Sequence, residues 1–276
     1  MMRTLPLLTI MLLVLSSCSN QELIRPGDSL EEAFEKAYTQ FENERWVQAA
    51  DAFSTVVESG RGTAIGQEAQ YYLAESYFRY ERYLSAAAEF ERYSSLYIDS
   101  PRREEVDFKI ALSYYHLSPR YRLDQAFTRR AIEYFRLFNS RHQNSERVNE
   151  AGEYIDELRN KLARKQFNAA EFYMRTNRFS AAAIYFARIL DQYPESDWAE
   201  PALMKQMEAY ILYADNSVEQ RKAERYRLAL ESYDRYLQLF PSGNNREEVE
   251  RLYSRTLDEL DSLGESADGT EITQTD

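Results

Sequence analysis

Cys18 is the only cysteine in 276 residues, and His116 and His142 are the only histidines. A lone thiol cannot close a disulfide within the chain and has no second thiol for a redox couple. The two histidines lie in different segments with no cysteine beside them, which gives little for zinc. The chain holds no HExxH, no Gly-rich phosphate loop and no GxSxG elbow. Acidic pairs are common, as in REEVD (103–107) and REEVE (246–250). At helical spacing such pairs read as solvated faces, and a glycosidase pair would need a shared cleft. The residues therefore point away from an enzyme and call for no metal and no cofactor. They leave Cys18 as a point of attachment.

The stretch before Cys18 says what is attached. Leu5 to Leu15 are nearly all apolar, and Arg3 is the only charge before them. A spanning helix needs roughly 20 apolar residues. A short positive start with a short apolar run reads instead as a secretory signal. Its end, Leu15-Ser16-Ser17-Cys18, resembles the lipobox of bacterial lipoproteins. That resemblance implies cleavage before Cys18, a thioether diacylglycerol on its sulfur and fatty-acyl chains such as palmitate. Each buried CH₂ contributes about 0.8 kcal/mol, so two or more chains anchor firmly. Ser19, where an inner-membrane retention signal of the enterobacterial pattern has aspartate, implies an outer-membrane address. Loss of residues 1–17 removes only Arg3 among the charges and takes the net charge from -12 to -13. So acidic a chain is ill suited to nucleic acid, which needs basic surface. It gains nothing from anionic lipid either.

The elements that position the rest come from repetition. NERWVQAADAFSTVV (43–57), RYERYLSAAAEFERY (79–93) and MRTNRFSAAAIYFARI (174–189) align on Trp46, Tyr83 and Phe179. Three residues on stand Ala49, Ala86 and Ala182; seven residues on stand Phe53, Phe90 and Phe186. Offsets of three and four place these on one helical face. The preceding helices carry Leu73, Ala74 and Tyr77 in one case and Ala169, Ala170 and Tyr173 in another. Small residues let two antiparallel helices approach, and aromatics fill the wider gaps. The pattern resembles the tetratricopeptide repeat (TPR), with its closing proline kept at Pro194. Two stretched copies align on Ala131 with Phe135, and on Ala229, Tyr233 and Pro241.

The fold class expected is all-α, a solenoid of five TPR-like helix pairs with a C-terminal capping helix. The pairs run over about 28–60, 64–99, 101–140, 145–193 and 197–241, and the cap over 245–263. SPRYRLDQ, between the cores of the third pair, reads as an early start to its second helix. Ser145 is expected near the cap of a long helix over 144–176, and Asp197 as a cap with Trp198 packed across its turn. The division is a signal over 1–17, an acylated N-terminus and tether over 18–27, repeats one to three over 28–140, repeats four and five with the cap over 141–263, and a polar tail over 264–276.

Lipobox, tether and five such pairs together resemble the BamD (ComL/YfiO) family of outer-membrane β-barrel assembly lipoproteins. The spacing of 37 from Trp46 to Tyr83, and the phrases FRYERYLSAAAEFERY and FARILDQYPES, carry the likeness. The usual Y-P-x-S phrase stands only once, in the fourth repeat. The resemblance implies a lipid-anchored protein on the periplasmic face of the outer membrane that performs no catalytic step. It implies three kinds of partner: unfolded outer-membrane protein precursors at the front repeats, the periplasmic domains of the integral barrel-assembly protein at the back repeats, and accessory lipoproteins.

Stepping along helix A from Ala37, Ala74 and Ala111 gives a candidate client groove. It comprises Phe34, Tyr38 and Phe41; Tyr71, Glu75, Phe78 and Arg79; and Phe108, Tyr115 and His116, with Leu112 between them. Arg79 suits a peptide carboxylate, or equally an ion pair with Glu75 one turn away. The same aromatics at helical spacing also suit core packing. On the family's arrangement, the partner surface is Tyr210, Tyr213, Arg225, Arg227 and Tyr236. Two other readings stay open at this point. One is an outer-membrane-anchored TPR scaffold for cell-wall or division factors. The other is a glycan-binding SusD-like lipoprotein, although those chains are much longer.

Overall fold

The computed structural model describes residues 23–264, so Cys18, the signal, the first part of the tether and most of the tail lie outside it. Among the described residues there are eleven α-helices and no strand. They are α1 (Leu30–Glu42), α2 (Trp46–Ser59), α3 (Ala64–Arg79), α4 (Tyr83–Leu96), α5 (Arg103–Leu117), α6 (Ala126–Arg141), α7 (Val148–Arg175), α8 (Phe179–Gln192), α9 (Ala199–Asp215), α10 (Glu219–Leu239) and α11 (Arg246–Ser262). The fold is all-α and of TPR type. None of these helices is long and apolar enough to cross a membrane.

Two compact units are present, one ending at Ser113 and one beginning at Tyr114. The boundary falls inside α5, not at residue 140 as the repeat count placed it. Side chains explain the shift. Tyr114 stacks on Tyr134 of α6 at 5.2 Å, and Ser118 shares a 2.6 Å hydrogen bond with Thr128. The last turn of α5 therefore belongs with α6.

The repeat residues make the cores. Ala49, Ala86, Ala131, Ala182 and Ala229 are fully buried, as are Phe53, Phe90, Phe135 and Phe186, and Tyr233 is nearly so. On the partner helices, Ala37, Ala74, Ala111 and Ala170 are buried without remainder. Methyl-sized contacts at these positions let paired helices approach, and each ring fills the space beside them. In the first unit α1 packs on α2, α2 on α3 and α3 on α4. In the second, α6 packs on α7, and α7 to α11 follow each other the same way. The cap predicted at 245–263 is α11, which covers α10 and α9 with Val249, Leu252 and Leu260. Ile24, within the expected tether, packs against the core of the first unit.

The turns repeat as closely as the helices. Glu44, Glu81 and Asn177 are the only non-glycine residues described with positive φ, at 58°, 59° and 56°. Each lies two residues before the aligned aromatic. At each, two backbone bonds close the end of the preceding helix: Glu81 N–H to Phe78 O at 3.0 Å and Arg82 N–H to Tyr77 O at 2.9 Å, with the same pair at 44–45 and at 177–178. This is the Schellman arrangement, here built without glycine. Other helix starts are held by side chains. Ser29 and Glu32 form a reciprocal capping box on α1, and Thr63 accepts Gly66 N–H at 3.0 Å on α3. Gly66 touches the backbone of Gly60 so closely that a Cβ there would stand 2.0 Å from Gly60 O.

Two local expectations are corrected, at the insert and at Asp197, while Ser145 does stand near the cap of α7. Residues 118–125 are not helical; α6 starts at Ala126, and the insert stays a loop. Asp197 does not cap α9. Trp198 holds the N-cap position without a side-chain bond, and Asp197 instead accepts Asn160 Nδ2 at 2.9 Å. The cap residue of α7 is Arg147, with Ser145 bracing the turn before it through Arg147 N–H at 3.1 Å.

Candidate functional site

In the first unit the expected groove residues divide by depth. Phe34, Tyr38 and Phe41 share one face of α1 and are half-buried. All three meet Tyr72 of α3, at ring distances of 6.1, 5.1 and 5.2 Å. Sequence reasoning passed over Tyr72 because it took only its neighbour. In YY (71–72) the two rings stand edge to face and serve different sides. The α1 aromatics thus join α1 to α3 and still keep part of each ring at the surface. Phe78 is half-buried against Tyr83 at 5.4 Å.

Tyr71, Glu75 and Phe108 are buried and offer no contact surface. They build an ionic layer under the surface. Tyr71 donates to Glu105 at 2.7 Å, and burial followed by that bond pushes its hydroxyl well above the usual tyrosine range. The Arg102 guanidinium lies 4.4 Å over the Tyr71 ring and pairs with Glu68 at 3.1 Å. Glu75, 3 % exposed, takes Lys109 Nζ on one oxygen and Arg79 Nε on the other at 2.8 Å. Of the two roles open to Arg79, the pair with Glu75 is therefore made.

The remaining groove residues, Tyr115 and His116, fall in the second unit. Tyr115 rests on Tyr154 at 4.6 Å and donates to Glu157 at 2.7 Å. Burial, then that carboxylate, pushes its hydroxyl up to about 12. His116 is exposed at the end of α5.

The residues of the expected partner surface differ in depth. Tyr210 and Tyr213 lie one turn apart on α9 and are half-buried. Arg225 lies 3.7 Å over the Tyr213 ring and donates to Ser217, so these two form one planar, cationic feature. Arg227 is half-buried on α10. Tyr236 is 1 % exposed and is corrected to the core, where it donates to Glu200 at 2.7 Å. The same carboxylate takes Asn245 N–H at 2.7 Å. Burial alone pushes Glu200 up, but the bonds from Asn245 and Tyr236 more than offset it and hold its carboxyl below the usual range. The described residues contain no group of three or more His, Cys, Asp or Glu that could hold a metal.

Paired helices with alanine seams, half-exposed aromatics on α1 and a ring-backed arginine on α9 and α10 define a helix-repeat protein of TPR type. Known proteins narrow the class. The profile of the YfiO family, described as an outer membrane lipoprotein, matches residues 26–225. The chain belongs to that family. Curated relatives named "Outer membrane protein assembly factor BamD" occur in Caulobacter vibrioides, 23% identical over 176 residues, and in Vibrio cholerae, 22% identical over 211 residues. The first match covers 64% of this chain and 58% of the relative; the second covers 71% and 86%. Among solved structures, the TPR2AB domain of yeast Sti1 in its HSP90 complex is 13% identical, covering 82% of this chain and 98% of that one with a TM-score of 0.38.

Proposed function

We propose that the chain is a non-enzymatic lipoprotein of the machinery that assembles β-barrel proteins into the outer membrane. Membership of the YfiO family over residues 26–225 carries this reading, and the names of the two curated relatives support it. Cys18 bears the lipid and holds the protein on the periplasmic face of the outer membrane. The half-exposed aromatics Phe34, Tyr38, Phe41 and Phe78 receive unfolded barrel precursors. Tyr210, Tyr213, Arg225 and Arg227 meet the periplasmic domains of the integral barrel-assembly protein, and accessory lipoproteins add to the complex. Tyr71, Glu75, Phe108 and Tyr236 support these surfaces from within. Tethering raises effective concentration, so each contact needs only modest affinity.

The test is isolation of the full-length acylated protein from its own membrane in mild detergent, with identification of co-eluting proteins. Stoichiometric recovery of the integral barrel-assembly protein is the expected result. Recovery of cell-wall, division or glycan-uptake partners alone would overturn the assembly role.

A further inference from the structure

The second unit holds a cavity of about 560 Å³ that neither candidate surface uses. Its floor is α7, one wall is the 118–125 loop, and the other is the turn into α9. Arg120 and Tyr121 come from the loop, Lys161 and Arg164 from α7, and Trp198 from the turn. Arg164 sits between two rings, 4.4 Å from Tyr121 and 5.8 Å from Trp198. Lys161 donates to Ser118 at 2.9 Å.

The cavity gathers three cations in an acidic chain. The protein carries a net charge of -12, and carboxylates pair with a number of its arginines, Arg159, Arg235, Arg246, Arg251 and Arg255 among them. Among the described residues no carboxylate pairs with Arg120, Lys161 or Arg164. Two acids do stand on the same walls, but neutral donors hold them: Glu157 takes the Tyr115 hydroxyl at 2.7 Å, and Asp197 takes Asn160 Nδ2 at 2.9 Å. Three cations and two carboxylates therefore line a largely apolar hollow with aromatic sides, and the cations exceed the carboxylates by one.

The cavity is also pre-formed. Gln125 Nε2 donates to the carbonyls of Arg120 and Leu123, each at 3.0 Å. Lys165 Nζ donates to the Leu123 carbonyl at 2.5 Å. Asn160 and Asp197 bind each other twice, the second time through Asp197 N–H at 2.9 Å. A loop held this way loses little freedom when a ligand enters.

We infer that this cavity binds an acidic side chain of an extended polypeptide, with the carboxylate at Arg120, Lys161 and Arg164 and a neighbouring apolar side chain against Tyr121 and Trp198. The carboxylate supplies the anionic partner that these cations lack, and charge-assisted bonds of this kind are the strong ones. With Glu157 and Asp197 in the lining the cations are in excess by one charge, which matches a single carboxylate better than a phosphate dianion. The volume and the ring faces suit two adjacent side chains better than a small ion. This chemistry does not depend on the assembly role.

The test uses the full chain with Trp46→Phe, which leaves Trp198 as the single tryptophan and a reporter inside the cavity. The probes are a capped peptide alternating aspartate with leucine, the same peptide with asparagine for aspartate, and inorganic phosphate. The expected result is a saturable change in Trp198 fluorescence with the aspartate peptide, and binding about tenfold weaker or more with the asparagine peptide. Arg164→Gln and Lys161→Gln should each weaken the aspartate peptide by a similar factor. Arg120→Gln changes an exposed loop residue and keeps the test informative if an α7 variant loses helicity. Equal binding of the two peptides, saturation by phosphate as tight as by the peptide, or no response to the aspartate peptide would each overturn the inference.

Discussion

Glu75 is the buried carboxylate that joins two cations in the first unit. Its side chain is 4 % exposed and meets two cations of very different depth: Lys109 at 15 % and Arg79 at 57 %. The Lys109 ammonium also lies 5.7 to 5.8 Å from the rings of Tyr71, Phe78 and Phe90. Glu75→Gln removes the charge and leaves that ammonium in a largely apolar site. Removing one partner of a buried pair costs about 3–5 kcal/mol. Two features lower that here. Glu105 remains 3.6 Å from Lys109 Nζ, and the ring faces return about 1 kcal/mol. The expected loss is therefore about 2–3 kcal/mol. Arg79→Gln should cost under about 1 kcal/mol, because that pair is solvent-screened. The double variant Glu75→Leu with Lys109→Met should recover most of the loss, since apolar side chains of similar size replace a buried pair at little cost. The assay is urea unfolding followed by Trp46, which packs on Phe41 at 5.1 Å in the first unit. Trp198→Phe in the background removes the other tryptophan. A Glu75→Gln variant within about 0.5 kcal/mol of its parent, or an Arg79→Gln variant equally destabilised, would refute the assignment of the pair as buried and of Lys109 as its main member.

The remaining predictions address other layers of the structure. Glu81→Gly should stabilise the chain by about 0.5–1 kcal/mol, because the left-handed conformation costs an L-residue about 1–2 kcal/mol and glycine gives back part through the unfolded chain. Asn177→Gly should gain less, since asparagine tolerates that conformation; thermal melts of the two variants give the order. Glu200 has a folded pKa below its unfolded value, so its stabilisation is present above about pH 4.3 and is lost as pH falls through the folded pKa. Glu200→Gln should lower stability at pH 7 and flatten the pH dependence below pH 4.3, read as unfolding midpoints of parent and variant. Cys18→Ser should release the protein from washed membranes, and mass spectrometry of the parent's N-terminal fragment should find acyl chains on Cys18; an unmodified cysteine there would refute the anchor.

Much of the fold was legible because helix pairing leaves a periodic trace. Alanine at one offset and phenylalanine at the next recur wherever two helices touch, and every such position aligned is buried or nearly so. The compact units divide within α5 and not at the repeat boundary near 140 for a related reason. Repeat counting treats α5 as one element, whereas its two ends pack differently, and contacts such as Tyr114 with Tyr134 reveal where the packing changes. The glycine-free Schellman turns were written in the sequence as E-R-W, E-R-Y and N-R-F. They went unread because glycine is the residue expected there.

Contact surface was less legible than core, and the reason is physical. An aromatic at helical spacing satisfies core packing and exposed recognition equally well, so type and spacing alone could not separate Phe34 from Phe108. Depth separates them: the first ring keeps part of its face, and the second keeps almost none. Charge behaves the same way. Arg79 and Arg164 are both arginines on a helix A, yet Glu75 one turn back takes the first, while two rings from distant segments hold the second. The neighbour that decides an arginine's role is local for Arg79 and 43 or 34 residues away for Arg164. A stretched loop between repeats adds nothing to the periodic signal. In this chain that same loop supplies the wall that turns unpaired cations on α7 into a cavity. The departures from the repeat are therefore where new binding chemistry is to be sought, because the repeat itself is consumed in holding helices together.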